Sequence, residues 1–459
     1  MFQKDTIAAI ATGMSNGGIG IIRISGTEAI DVADRVFRAK GTGKTIQETP
    51  SYSALFGEIR DGNSVIDEAI CLVMRAPNSY TTEDVVELQC HGGMVLLQKV
   101  LELVLRSGAR AAEPGEFTKR AFLGGRIDIT QAEAVMDLIS AKNELAVRSS
   151  VGQLKGSLSQ RIKDIRGMIL HHIAYIESAL DDPENYSLEG YSDQLQVQVE
   201  ETIHQVEELL ATAEEGKMIK EGIRTVILGK PNAGKSSLLN QLLGEERAIV
   251  TEVAGTTRDT LEEDATIQGI PLRIIDTAGI HDTVDIVEKI GVDKAKNSIK
   301  EADLILYMVD GARPLDTDDR QIMNLLEGQK VIVIINKIDV EQVVDKMSIT
   351  DKLSAPVVEL SAKTGEGMKD LKDCLTDMFF HGKLSMNDEV YITNLRHKQA
   401  LAEAKNSLSQ VLNSIQQQMP EDFLTIDLTA AYEQLGYILG ETLGDDLANE
   451  IFSKFCMGK

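Results

Sequence analysis

Over residues 1–120, apolar positions alternate in short stretches separated by turns. Ile19-Gly20-Ile21-Ile22-Arg23-Ile24 and Asp84-Val85-Val86-Glu87-Leu88-Gln89 are β-rich and bounded by glycine or polar residues, while Met94 to Leu105 is a helical run. This pattern predicts a small α+β domain. From about 127 to 215 the apolar period becomes helical. Glycine and proline thin out there except at Asp181-Asp182-Pro183-Glu184-Asn185, a break that separates two helices. Helical patterning returns from about 387 onward. Between these arms Thr225–Gly229, Leu272–Asp276, Leu304–Asp310 and Val331–Asn336 form a βαβ alternation, which predicts a mostly parallel sheet with helices on both faces. The simplest architecture is an α/β domain inserted into an all-α helical domain, with a separate C-terminal helical domain as the alternative. The expected division is 1–120, a discontinuous helical domain of 121–215 plus 384–459, and an inserted domain of 216–383.

Composition narrows the class. A chain of 459 residues exceeds one ordinary core, and 43% hydrophobic content suffices for several domains. No run of about 18 apolar residues occurs. Met1-Phe2-Gln3-Lys4-Asp5 lacks the basic-then-apolar order of a secretory signal, so the reading is a soluble, cytoplasmic chain with no membrane role. Cys71, Cys90, Cys374 and Cys456 are scattered, without a CxxC pair or zinc-type histidine spacing, which argues against a structural metal. His171 and His172 read as surface or packing residues. The net charge of −25 opposes sequence-independent binding to phosphate backbones, so nucleic-acid contact requires a local basic patch or a partner's surface.

The chemistry concentrates between 229 and 363. Gly229-Lys230-Pro231-Asn232-Ala233-Gly234-Lys235-Ser236 fits GxxxxGK[ST], follows the predicted strand Val226-Ile227-Leu228 and opens a helix at Ser237. Backbone N–H groups of such a loop converge on phosphates, Lys235 adds a point charge at the β and γ phosphates, and Ser236 can ligate Mg2+. Thr256-Thr257-Arg258-Asp259 supplies the magnesium-sensing threonine, taken as Thr257. Asp276-Thr277-Ala278-Gly279 supplies a carboxylate for the metal's water shell and an N–H for the γ-phosphate. Asn336-Lys337-Ile338-Asp339 selects guanine, because Asp339 accepts two hydrogen bonds that adenine cannot donate, and Ser361-Ala362-Lys363 covers the guanine O6. Each tetrapeptide alone could be a turn after a strand; all five in this order point to GTP. Ile280 follows Gly279 where Ras-like proteins carry a glutamine that orients attacking water, leaving His281, Asp282, Asp285 and Glu288 as nearby candidates or simply as exposed side chains.

Four further segments carry a resemblance across the chain: Gly20-Ile21-Ile22-Arg23-Ile24-Ser25-Gly26, Asp84 to Gly93, Pro114-Gly115-Glu116-Phe117-Thr118-Lys119-Arg120-Ala121-Phe122, and Phe455-Cys456-Met457-Gly458-Lys459. With the GTPase elements, these resemble the bacterial tRNA-modification GTPase family MnmE, also called TrmE. The resemblance implies an N-terminal folate-binding and dimerisation domain, a helical domain, and an inserted Ras-like α/β P-loop G domain. It implies folate contacts at Arg23, Glu87, Arg126 (where the family often has lysine) and Lys459. The one-carbon donor that the resemblance implies is 5,10-methylenetetrahydrofolate, with 5-formyltetrahydrofolate as an analogue. It further implies K+-dependent G-domain dimerisation, with ligands Asn232, Thr251, Val253 and Thr256, and makes Glu288 the water-orienting residue. The implied nucleotide surface runs through Asn232, Ala233, Gly234, Lys235, Ser236 and Ser237, through Thr251, Glu252, Val253, Ala254, Gly255, Thr256 and Thr257, and through Asp276, Thr277, Ala278 and Gly279. Asn336, Lys337, Asp339, Ser361, Ala362 and Lys363 complete it. Cys456 is implied near the folate as a catalytic candidate. Its tail formally fits a prenylation box, but Gly458 is not aliphatic and no polybasic stretch precedes it. The implied partners are a second copy of the chain, the FAD-using protein MnmG in a heterotetramer, and tRNA, whose wobble uridine is modified at C5. A ribosome-assembly GTPase would instead need a basic RNA-binding module, and none is visible.

Overall fold

The computed structural model describes residues 5–13, 17–41, 43, 45–245, 262–267, 269–275, 299–380, 390–441, 445–455 and 458. The chain divides into two compact units: 1–136 with 154–166 and 432–459, and 137–153 with 167–431.

The first unit is built on a seven-stranded sheet. Its strands are β1 (Ile7–Ile10), β2 (Ile19–Ser25), β3 (Phe37–Ala39), β4 (Ser53–Asp61), β5 (Ser64–Met74), β6 (Val85–His91) and β7 (Arg110–Ala111), in the order β3-β4-β5-β6-β2-β1-β7. Neighbours are antiparallel except β1 and β7. The predicted strands over 19–24 and 84–89 are β2 and β6, and the predicted helix is Met94–Arg106. The β4–β5 hairpin is longer than the short strands expected of this region. Strand alternation sends Ile22, Ile24, Val86 and Leu88 into a core with Ala29, Val32 and Val36 of helix Ala29–Val36 and Leu97, Val100 and Val104 of helix Met94–Arg106. Arg23 and Glu87, lying between those positions in sequence, belong to the opposite side of the pleat and face each other in the β2–β6 register. Cys71 and Cys90 belong to the core, where burial pushes both thiols up to about 12, so neither supplies a thiolate. Phe452 and Phe455 of the C-terminal segment pack with Ile129 and Ala132. They also close on Gly115, where a Cβ would lie 2.5 Å from the Phe452 carbonyl oxygen.

The second unit holds β8 (Ile223–Gly229), β9 (Glu263–Ile267), β10 (Ile270–Ile274), β11 (Leu304–Asp310), β12 (Val331–Asn336) and β13 (Val357–Leu360), in the order β13-β12-β11-β8-β10-β9. Every pairing is parallel except β9 with β10. The strands β11 and β12 are apolar up to their last residues, Asp310 and Asn336, as two-sided burial requires. Leu304, Leu306, Met308, Ile332 and Ile334 enter one core, whereas Ile305, Tyr307, Val309, Val331, Val333 and Ile335 enter the other. This is the α/β G-domain fold, inserted between helical arms.

The arms meet where the insert begins and ends. Helix Tyr191–Glu221 packs along helix Leu395–Gln416. The Ile392 N–H donates to Thr212 Oγ1 at 3.1 Å, and a Cβ on Gly216 would lie 2.4 Å from the Ile392 carbonyl oxygen. From the segment 137–153, Asn143 Nδ2 donates to the Ile219 carbonyl at 3.0 Å and Asp137 pairs with Lys220 at 2.7 Å. Gln153 Nε2 donates to the Tyr391 carbonyl at 2.9 Å. His172 is buried and bonded to the Tyr191 hydroxyl at 2.6 Å, a packing role as expected. No helix among the described residues is long and apolar enough to cross a membrane.

Candidate functional site

The parallel strands β8, β11, β12 and β13 all end on one edge of their sheet, where loops can converge on a ligand. β8 runs into the phosphate loop and helix Lys235–Glu245. Two glycines are required there. Gly229 has φ +150° and an added Cβ would lie 2.4 Å from the Met308 carbonyl oxygen; Gly234 has φ +105° and its Cβ would lie 2.0 Å from Asn336 Nδ2. Lys235 Nζ donates to the carbonyls of Gly229 at 2.7 Å and Lys230 at 2.9 Å. Burial draws its pKa below the ordinary lysine value. Asn232 has a left-handed backbone, φ +64°, and is exposed together with Ser236 and Ser237, while Ala233 is buried.

The end of β12 is tied to this loop by one side chain. Asn336 Nδ2 donates to the Ala233 carbonyl at 2.8 Å and its Oδ1 accepts from the Ala362 N–H at 2.9 Å, so a single amide joins phosphate loop, β12 and the segment after β13. Lys337, at φ +70°, reaches Asp310 Oδ2 at the end of β11, 2.7 Å away. Burial would raise the Asp310 pKa, but Lys337 and the Ala312 N–H outweigh it and hold the carboxylate below its usual value. Ser361 Oγ donates to Asp339 Oδ1 at 2.8 Å, orienting an exposed carboxylate. Lys363 is exposed. The structure therefore brings Asn232 to Ser237, Asn336, Lys337, Asp339 and Ser361 to Lys363 to one edge. Thr251, Glu252, Val253, Ala254, Gly255, Thr256, Thr257, Asp276, Thr277, Ala278, Gly279, Glu288, Cys456 and Lys459 lie outside the described residues.

A second constellation sits in the first unit. Arg23 Nε bonds Glu87 Oε1 at 2.9 Å across the β2–β6 register, and Arg23 Nη1 donates to the Gly458 carbonyl at 3.3 Å. The Arg23 guanidinium lies 5.8 Å from the Tyr80 ring centre and 5.6 Å from that of Phe117. Arg126 donates to the Tyr80 carbonyl at 3.0 Å, with its guanidinium 4.9 Å from the same ring. Tyr80 Oη is 2.9 Å from Thr118 Oγ1. Of the three residues that the resemblance names, Arg23 and Arg126 thus lie near the ring of Tyr80, an aromatic that sequence reasoning did not single out, and Glu87 pairs with Arg23. Tyr80 stands in a polar stretch without periodicity, and nothing local marks it.

The loop carrying Tyr80 is pinned from beneath. Ser25 Oγ lies 2.7 Å from Thr81 Oγ1 and donates to Glu83 Oε2 at 2.8 Å. Arg120, only 6% exposed, pairs with Glu83 at 3.0 Å, Glu116 at 3.0 Å and Asp5 at 2.8 Å. Burial would raise the pKa of Asp5 and of Glu116, but bonds from Arg110 and Arg120 outweigh it, so both carboxyls stay below their ordinary values. These ion pairs fix the shape of the loop that presents the ring.

Comparison with known proteins gives a consistent picture. A family model described as the MnmE helical domain matches residues 129–456, and one described as the GTP-binding protein TrmE N-terminus matches 6–126. The tRNA modification GTPase MnmE of Lachnoclostridium phytofermentans is 56% identical over 457 residues, covering 100% of both chains. The protein of the same name from Clostridioides difficile is 46% identical over 461 residues, again covering 100% of both.

Proposed function

This chain belongs to the MnmE family of tRNA modification GTPases, and from that premise we propose that it couples GTP hydrolysis to modification of a tRNA wobble uridine at C5. The observation that carries the reading is the convergence of the phosphate loop, Asn336-Lys337-Ile338-Asp339 and Ser361-Ala362-Lys363 on one strand-end edge, joined by the Asn336 amide.

In this reading Asp339, oriented by Ser361, accepts the N1–H and exocyclic amine of guanine, while the loop N–H groups and Lys235 receive the phosphates. The Ser236 hydroxyl at the helix start fits one position of a magnesium shell, with Thr257 as the second protein ligand. Asn232, exposed on the loop, fits as a potassium ligand beside Thr251, Val253 and Thr256. Bound there, the two cations would offset charge developing on the phosphates, the task an arginine finger performs in other GTPases. Glu288 orients the attacking water in the position left without a glutamine by Ile280, and two G domains close on one another in a homodimer.

The first unit is proposed to bind 5,10-methylenetetrahydrofolate. Two guanidinium groups near the Tyr80 ring fit a ligand with a flat heterocycle and a carboxylate tail, and the Arg23–Glu87 pair offers both a donor and an acceptor edge. The folate supplies a one-carbon unit; Arg23, Glu87, Arg126 and Lys459 hold and orient it, with Cys456 beside it. We assign residues 1–120 to this folate and dimerisation domain, 121–215 with 384–459 to the helical domain and 216–383 to the G domain. The FAD-dependent MnmG protein is the proposed partner and carries most of the tRNA binding, in keeping with the charge of −25. The cytoplasm is the proposed site of action.

The test combines chain, partner, folate, GTP and unmodified tRNA, with mass analysis of the wobble uridine and Cys456→Ser as comparison. An unmodified uridine with the intact chain would overturn the assignment. Separately, GTP turnover should be far faster in potassium than in sodium; equal rates would remove the cation from the mechanism.

A further inference from the structure

Lys230 fills a position that the phosphate-loop motif leaves open to any residue. Its side chain is nonetheless 8% exposed, bonded to Asp316, 3.2 Å from Asp319 Oδ2 and 3.6 Å from Asp318 Oδ2. Those carboxylates have a task of their own. Asp316 caps helix Thr317–Leu326 by accepting from the N–H groups of Asp318 at 2.9 Å and Asp319 at 3.3 Å, and Asp319 Oδ2 accepts in return from the Asp316 N–H at 3.1 Å. The Lys230 ammonium enters this capping box from the phosphate loop. At its other end, the Lys230 carbonyl accepts from Lys235 Nζ at 2.9 Å and from the Ala233 N–H at 3.2 Å. One residue therefore fastens to a helix cap with its side chain and to the phosphate-contacting lysine with its backbone.

We propose that Lys230 is a positioning residue for the nucleotide's phosphates, holding the loop in its receiving conformation by anchoring it to the start of helix Thr317–Leu326. The inference rests on the reading of this edge as a GTP site. Asp319 is buried beneath the ammonium, so a loop that strays from the helix leaves a buried charge without its counter-ion, which restrains the loop to one arrangement. A loop already ordered loses less entropy when phosphates bind, and the tether thereby raises affinity without touching ligand. Because it acts on binding rather than on the transition state alone, its loss raises KM more than it lowers kcat.

The experiment measures binding of fluorescently labelled GDP and GTP, and steady-state GTP turnover, for the full chain and for Lys230→Met, Lys230→Arg and Asp316→Asn. Lys230→Met is expected to weaken both nucleotides by about ten- to a hundredfold. It should raise KM by a similar factor with a much smaller change in kcat and unaltered preference for guanine over adenine. Lys230→Arg restores most of the affinity, and Asp316→Asn, at the more exposed carboxylate, gives a smaller loss in the same direction. A folded Lys230→Met chain with unchanged affinity overturns the tether. Should that variant fail to fold, unchanged affinity in Asp316→Asn overturns it instead. A wild-type chain that binds no guanine nucleotide would bring down the site reading itself, not the tether alone.

Discussion

The two candidate sites are built by opposite means. At the nucleotide edge the binding surface is mainly backbone: strand ends deliver N–H groups, and Gly229 and Gly234 are required because neighbouring atoms occupy the space a Cβ would need. Around Tyr80 the surface is side chain, with Arg23, Glu87, Phe117, Thr118 and Arg126 contributed by two strands and the residues that follow. A surface of backbone demands particular residues at consecutive positions and so leaves a local signature. A surface of side chains demands only that distant positions share a face, and strand register does that without any signature.

The contrast can be tested, beginning where the effect is largest. Glu288→Ala should lower GTP turnover by roughly 10²–10⁴-fold while nucleotide affinity, carried by backbone groups and Lys235, stays near that of the wild type. Phosphate release and equilibrium binding measured side by side check this; a matching loss of affinity would show that the edge depends on side chains as much as the Tyr80 site does. Arg120→Met removes the cation shared by Asp5, Glu83 and Glu116 and should destabilise the first unit by about 3–5 kcal/mol, read by denaturant unfolding. The same ion set gives that unit an acid limit. Asp5 and Glu116 have folded-state pKa values below 3.8 and 4.5, so their contribution is complete above those values and is lost as pH falls from there through the lower folded values. Arg120→Met should flatten that acid-side slope.

Smaller effects probe single contacts. Asp339→Asn should weaken GTP by about 1.5–3 kcal/mol and admit xanthine nucleotides, as competition binding would report. Retained guanine selectivity would remove Asp339 from base recognition. Arg126→Gln loses the contact with the Tyr80 ring and should weaken folate by about 1 kcal/mol, measured by calorimetry, with partner-free GTP turnover unaffected. A change in turnover instead would mean that the two sites are not built independently.

Much of the fold was legible because burial sets the periods that were read. The run Leu304–Val309 has no charged position since β11 is covered on both faces, and Met94 to Leu105 repeats at helical spacing since one side meets the sheet. The segment Asn336-Lys337-Ile338-Asp339, proposed to recognise guanine, was legible for the same reason as the phosphate loop: each follows directly from a parallel strand. Tyr80 was not, because what sets it apart is its contact with Arg23 and Arg126, far away in sequence. Neither were the Lys230 tether to Asp316 and Asp319 and the Asp310–Lys337 pair, since an ion pair between separate elements imposes no spacing. Segment Pro114 to Phe122 was noticed only through resemblance; its physical content is the buried network centred on Arg120.

The clasp formed by Asn143, Asp137 and Gln153 on Ile219, Lys220 and Tyr391, with Thr212 holding Ile392 from 180 residues away, brings both seams of the inserted sheet to one place. Both of its seams lie against the same few side chains, so the flanking helices can be spliced by a short turn. Closing a loop costs only about 0.6 kcal/mol more for each doubling of its length, so the length of chain between those seams bears only weakly on the cost of bringing them together.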